Sequence, residues 1–174
     1  MYTTHDVKKA VKGNKKALEK IVQGEKHRLY RIAFLYVKNE NDAVDIVQET
    51  TYKALISIGK LKDVNQVSGW LKRITINCAI DFLRRQKKIV PFENGYIEIR
   101  EDRSFHSEEK LDLYHLLDYL NERDKTVIIL KYYEDLTNRE IAEILNCPEG
   151  TIKSCLHRSL KLLKGRIEED YMNG

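Results

Sequence analysis

Long stretches of this chain run without a helix breaker, and that constrains its fold more than any other feature. Only 2 prolines and 8 glycines occur in 174 residues. Between them, apolar side chains recur at the three- and four-residue spacing of an α-helix. From Lys15 to Val37 the recurring set is Leu18, Ile21, Val22, Leu29, Ile32, Ala33, Tyr36 and Val37. The polar run Lys38-Asn39-Glu40-Asn41 interrupts it. Asn41 reads as the N-cap of a second helix, with Asp42 and Asp45 in the turn that favours acids. That helix is expected to reach about Ile58, with Ala43, Ile46, Val47, Thr50, Ala54 and Leu55 facing inward and Gly59 ending it. A loop from Lys60 to Val67 follows. Ser68 then suits the cap of a third helix, whose buried stripe is Leu71, Ile74, Thr75, Cys78 and Phe82.

The pattern changes after the basic run Arg84-Arg85-Gln86-Lys87-Lys88. Pro91 to Glu108 has no helical period and sets Glu93, Glu98, Glu101, Asp102 and Glu108 against only Arg100 and Arg103. It reads as an acidic, flexible linker. The alternation Tyr96-Ile97-Glu98-Ile99 has the period of a strand but nothing to pair with. The second half is helical again. One helix lies near Leu111 to Leu120, with Leu113, Leu116, Leu117 and Leu120 inward, and another from about Glu122 to Tyr133. Thr137, three residues before Glu140, makes a capping box for a helix carrying Ile141, Ala142, Ile144 and Leu145. Asn146-Cys147-Pro148 makes a turn into a last helix expected to run to about Glu168. The expected architecture is all-α, with two small helical domains, 1–88 and 109–174, joined by the linker 89–108.

Several classes of function are set aside by what is missing. At 42% hydrophobic and 33% charged residues the chain suits a folded soluble protein. It carries no apolar run of membrane-spanning length. Met1 to Val11 lacks the apolar core of a signal peptide, so a cytoplasmic location is expected. Cys78, Cys147 and Cys155 are an odd set without Cys-x-x-Cys spacing, and the five histidines are scattered. Neither a disulfide framework nor a metal centre is expected. No nucleophile or acid–base pair stands out, so the chain reads as a non-enzyme without a cofactor.

Charge is more telling in its distribution than in its net value of +4. The segment Thr137 to Leu163 has the form of a helix-turn-helix, with Ala142 as the small residue at the crossing. Ile141, Ala142, Leu145, Ile152, Leu156 and Leu160 supply its packing. Glu149, Gly150, Thr151, Lys153, Ser154, His157, Arg158 and Lys161 then point outward. The N-terminal part of such a helix enters a DNA major groove. Thr151, Lys153, Ser154 and His157 carry donors for bases or phosphates, and Arg158, Lys161 and Lys164 suit phosphate. On the third helix of the first half, Trp70, Arg73, Asn77, Ile80 and Arg84 share the stripe opposite the buried one. An aromatic, an amide and arginines on one face suit single-stranded DNA: the ring stacks, the amide holds an unstacked base, the arginines hold phosphate. Asp42, Asp45 and Glu49 form an acidic stripe on the second helix. Such a stripe faces solvent or docks a basic partner.

These residues resemble a known family. Asp42-Ala43-Val44-Asp45-Ile46-Val47-Gln48-Glu49 resembles the segment by which bacterial sigma factors grip the clamp helices of RNA polymerase. Ser68-Gly69-Trp70-Leu71-Lys72-Arg73-Ile74-Thr75-Ile76-Asn77, continuing to Asp81-Phe82-Leu83-Arg84-Arg85, resembles the −10 recognition and melting segment. Glu140-Ile141-Ala142 followed by Glu149-Gly150-Thr151-Ile152-Lys153-Ser154 resembles the −35-reading helix-turn-helix. The order is that of the extracytoplasmic-function (ECF) sigma factors of the sigma-70 family. The resemblance implies a subunit that carries core RNA polymerase to promoters in an envelope or external stress response, held by an anti-sigma protein that is often membrane-bound. It implies that Asp42, Asp45, Gln48 and Glu49 contact core polymerase. Asn77 would contact an extruded −10 base, in a pocket shaped by the loop near Leu61. Gly69, Thr75 and Cys155 depart from the residues common in the family. A conventional two-domain DNA-binding regulator and a DNA-free adaptor are the rival readings.

Overall fold

The computed structural model describes residues 1–89 and 113–173, and every element among them is helical. The acidic segment and the Tyr96–Ile99 alternation lie outside the described residues. Helix α1 (Thr4–Val11) was not visible in the apolar pattern. Thr3 and Asp6 close a capping box around its start, and it buries Val7 and Ala10. Its signal was the Thr-x-x-Asp spacing, in which both partners satisfy otherwise orphaned N–H groups. Helix α2 (Lys15–Val37) is capped by the Asn14 side chain and ends where Lys38 turns left-handed, at φ 54°. Helix α3 (Glu40–Ser57) starts earlier than expected: Asn39, not Asn41, accepts the Asp42 N–H at 3.0 Å. Both asparagines suit a cap, and the left-handed Lys38 just before decides between them by reversing the chain there.

Two single 3₁₀ turns, Ile58–Lys60 and Val64–Gln66, lead to α4 (Val67–Ile89). Asp63, rather than Ser68, accepts the N–H that opens this passage, at 2.9 Å from Asn65. Ser68 instead donates to Glu25. Glu25 is a buried acid on α2. It accepts from the Tyr2 hydroxyl at 2.7 Å and from Ser68 Oγ at 3.1 Å, with Arg28 3.6 Å away. The N-terminal segment, α2 and α4 are thereby tied through one satisfied carboxylate. Gly24 makes room for the knot, since a Cβ there would stand 2.8 Å from the Tyr2 ring.

Helices α2, α3 and α4 pack around Leu29, Ile32, Ile46, Ala43 and Leu71, all but excluded from solvent. Leu55, expected inside, is exposed at the far end of α3. On the C-terminal side come α5 (Leu113–Leu116) with a 3₁₀ turn to Tyr119, then α6 (Glu122–Ile128) running into a π turn over Ile129–Tyr133. Leu116, Leu117 and Leu120 are buried as expected. Helix α7 (Asn138–Leu145) carries the Thr137–Glu140 capping box and ends at Asn146, left-handed at φ 51°. Helix α8 (Glu149–Asn173) runs beyond the expected Glu168. Its buried stripe is Ile152, Cys155, Leu156 and Ser159; Leu160, expected to pack, is exposed. Ser159 is buried in place of Leu160 and meets its polar need by donating to the Cys155 carbonyl at 2.7 Å.

Candidate nucleic-acid interface

Helix α4 presents three faces. Leu71, Thr75 and Cys78 are buried against α2 and α3, with Ile74 and Phe82 half-buried beside them. Lys72, Ile76 and Ala79 are buried as well, on a face for which the sequence pattern gave no expectation. That leaves a narrow outer stripe on which Arg73, Asn77 and Arg84 are exposed and Trp70 and Ile80 half-buried. Trp70 lays its ring on the core and keeps one part outside.

Beside this stripe an open groove of about 580 Å³ runs between the end of α3 and α4. Lys53, Ile56 and Ser57 form one wall; Ile74, Asn77, Ile80, Asp81 and Arg84 form the other. An apolar floor with an amide and two cations at its edges can hold a flat aromatic base while keeping its phosphate in reach of charge. Trp70, Arg73 and Leu61 are not among the lining side chains. Leu61 is half-buried on the core, its N–H donating to the Ile58 carbonyl at 3.0 Å. Lys53 is the lining residue that sequence reasoning missed. It lies 3.5 Å from Glu49 and 3.8 Å from Asp81, bridging the two helices. Cys78 lies buried beneath, and burial holds its thiol above its ordinary pKa, so it stays protonated and inert.

On α3, Asp45 and Gln48 are exposed and Asp42 and Glu49 half-buried. Exposed Val44 and Tyr52 lie among them. The outer face of α3 is therefore both acidic and apolar.

On α8, Glu149, Gly150, Lys153, Ser154, His157, Arg158 and Lys161 are exposed and Thr151 half-buried. Ser154 donates to the Gly150 carbonyl at 3.0 Å and Lys153 pairs with Glu149 at 3.1 Å. Arg158 is held differently from its neighbours. Its guanidinium forks onto Asp124 at 2.6 and 2.8 Å and so ties α8 to α6. Among the described residues no group of His, Cys, Asp and Glu is placed to hold a metal ion, and no helix is long and apolar enough to cross a membrane.

Comparison with known proteins decides the family. Residues 21–89 match the family described as Sigma-70 region 2, and residues 110–163 match Sigma-70, region 4. The chain is 40% identical over 149 residues to the RNA polymerase sigma factor SigV of Bacillus subtilis, covering 86% of this chain and 90% of the relative. It is 30% identical over 178 residues to the ECF RNA polymerase sigma factor SigW of the same organism, covering 94% and 95%. This chain is a sigma-70 family member of the ECF type. The sigma factor shares its fold with CnrH, solved in complex with the cytosolic domain of CnrY, at a TM-score of 0.71 and 19% identity, over 96% of this chain and 97% of that one. The sigma factor RpoE of Bartonella quintana, solved with the anti-sigma factor NepR, aligns at a TM-score of 0.67 and 20% identity, over 88% of this chain and 98% of that one. Sigma factors are transcription initiation factors, and the two matched regions fall on the helices that carry the two basic faces.

Proposed function

We propose that this ECF sigma factor docks core RNA polymerase through the outer face of α3, reads duplex −35 DNA with the N-terminal half of α8, and captures the melted −10 strand on α4. The observation that carries the reading is the groove between α3 and α4, with Asn77 and Arg84 in its wall and Trp70 and Arg73 on the adjoining stripe. Asp42, Asp45 and Glu49 supply the acidic docking groups, Gln48 an amide, and exposed Val44 and Tyr52 the apolar ones. Glu149, Thr151, Lys153, Ser154, His157 and Lys161 face the major groove, and Arg158 reaches phosphate with whatever donors Asp124 leaves it. Residues 1–88 form the docking and melting unit, 89–108 the connection, and 109–174 the −35 unit. The chain works in the cytoplasm, and binding energy spent on the opened strand, rather than a reaction of its own, shifts promoter DNA toward the open form. Two fold relatives are solved in complex with a partner protein, in one of them a named anti-sigma factor. That supports an anti-sigma partner here as well, in a response to envelope or external stress.

The test is run-off transcription with purified core polymerase, with and without the chain, on the promoter of its own gene. A transcript that depends on the chain is expected. Asn77→Ala should keep core binding and lower permanganate reactivity of the −10 strand about tenfold, the loss of one base contact. Normal melting in that variant would remove the −10 assignment.

A further inference from the structure

Helix α1 gathers positive charge that the fold leaves unanswered. It buries Val7 and Ala10, so Lys8, Lys9 and, at its end, Lys12 face solvent. It packs on both 3₁₀ turns between α3 and α4, where Lys60 and Lys62 are exposed too. At the crossing, a Cβ on Gly59 would stand 3.8 Å from the Val11 carbonyl oxygen. Lys12 and Lys60, each the next residue along, are thereby neighbours. The Asn14 N–H donates to the Lys9 carbonyl at 3.1 Å and brings the start of α2 back to the same place. Lys15 and Lys16 stand there in the first turn of α2, where the helix dipole disfavours a cation. None of these lysines forms an ion pair with an acid among the described residues. The acids nearest in sequence serve elsewhere: Asp6 holds Lys20 and the Thr3 N–H, and Asp63 accepts the Asn65 N–H. Like charges brought together without acids cost stability and add nothing to packing. A polyanion would relieve them.

The position of the lysines says which polyanion. Ser57 belongs to the wall of the groove between α3 and α4, and Lys60 follows it by three residues. That is about 10 Å of chain at most, or roughly three nucleotide steps. A strand leaving the groove past Ser57 therefore runs onto Lys60 and then onto α1. Lysine is a point charge on a flexible stem, suited to phosphate and indifferent to base identity. A bilayer is the poorer partner. Helices that lie on membranes turn their apolar face outward, and α1 turns Val7 and Ala10 into the core.

We propose that Lys8, Lys9 and Lys12, with Lys60 and Lys62, form a sequence-independent phosphate-binding surface for the promoter strand adjoining the segment held in the groove. The inference rests on the −10 reading of that groove and adds to it a contact from α1. The surface lengthens the stretch of strand that is held and makes binding more salt-dependent, while base preference stays with α4.

The test uses holoenzyme assembled from the full chain and purified core polymerase. Fluorescence anisotropy reads its binding to single-stranded −10 oligonucleotides, either bare or extended at one end or the other. One of the two extensions should tighten binding of the wild type. The triple variant Lys8→Gln, Lys9→Gln, Lys12→Gln should lose that gain whatever the sequence of the extension, and Lys60→Gln with Lys62→Gln should lose it independently. With three phosphate contacts at a slope of about −0.7 each, wild-type affinity should fall roughly 20-fold more than that of the triple variant between 50 and 200 mM salt. All five side chains are exposed, so helix content and melting temperature should not change. A gain and a salt slope that survive in both variants would overturn the surface. Lysine-dependent binding of the free chain to phosphatidylglycerol vesicles, with binding to DNA unaffected by the variants, would overturn it in favour of a membrane. Asn77→Ala separates the two readings. If it weakens binding to the bare oligonucleotide while the lysine variants keep the wild-type slope, the surface alone falls. If the slope depends on the lysines while Asn77→Ala binds like wild type, the −10 reading falls, and with it the placing of the surface beside that strand.

Discussion

Asp124 is buried yet keeps its charge, because the Arg158 guanidinium grips both of its oxygens and Asn121 donates to it at 3.0 Å. Arg158 holds its carboxyl below the usual carboxylate range. A carboxylate whose folded pKa is depressed stabilises the fold fully above its unfolded value near pH 4, and that contribution fades as pH falls through the lower folded value. Asp124→Asn should therefore cost about 1–2 kcal/mol at pH 7, less than a fully buried pair because the arginine faces solvent. In thermal melts the gap to wild type should narrow below about pH 4. An equal gap at pH 7 and pH 3 would place the effect in packing rather than charge. Nothing local in the sequence announced this pair: the partners stand 34 residues apart, and Arg158 alone reads as one more cation on a basic helix. Glu25 and Lys53 were hidden for the same reason, since each owes its place to residues from other helices.

At the scale of the element, local chemistry was the most legible. The Thr137–Glu140 box is present as expected: the Glu140 N–H meets Thr137 Oγ1 at 3.2 Å, and the Thr137 N–H meets Glu140 Oε2 at 2.8 Å. Thr137→Ala should cost about 1 kcal/mol, seen as a melting temperature lowered by roughly 2–4 °C. Periodicity also gave the bounds of α2 and the buried face of α3 up to Ala54. It failed where a helix buries a second face or a polar residue. Apolar spacing on α4 shows one stripe, yet Lys72, Ile76 and Ala79 are covered too. A lysine in that set hides it from any hydrophobic pattern, because the covering surface carries the matching acid. On α8 the spacing placed Leu160 inside with Ile152 and Leu156, while Cys155 and Ser159 joined those two in the core and Leu160 stayed out. Short residues whose polar atoms are satisfied within the helix can take a tight crossing, and leucine patterns do not count them.

For the whole molecule, the buried side chains of both halves join in one continuous cluster, from Val7 on α1 to Leu156 on α8. Two domains sharing a core melt together. Calorimetry on the wild type should show one transition, and Glu134→Lys should split it or broaden it into two. Two separate transitions in the wild type would mean the halves fold without regard to each other. The order of the functional segments along the chain could be read from sequence because each is local. How the halves meet could not, because it is written in single charges far apart in the chain, such as Lys72 with Glu134 and Arg84 with Glu122.

Trp70 is the chain's one tryptophan, and it lies half-buried on α4 between Gly69, where the halves touch, and the stripe proposed for the opened strand. Its emission is therefore an optical gauge that needs no label. Release of the C-terminal half wets the neighbourhood of the indole and moves the emission toward the red, whereas a nucleobase stacked on the ring quenches it. Separation of the halves and stacking of a base would thus leave different marks on a single fluorophore, and stopped-flow mixing can time one against the other.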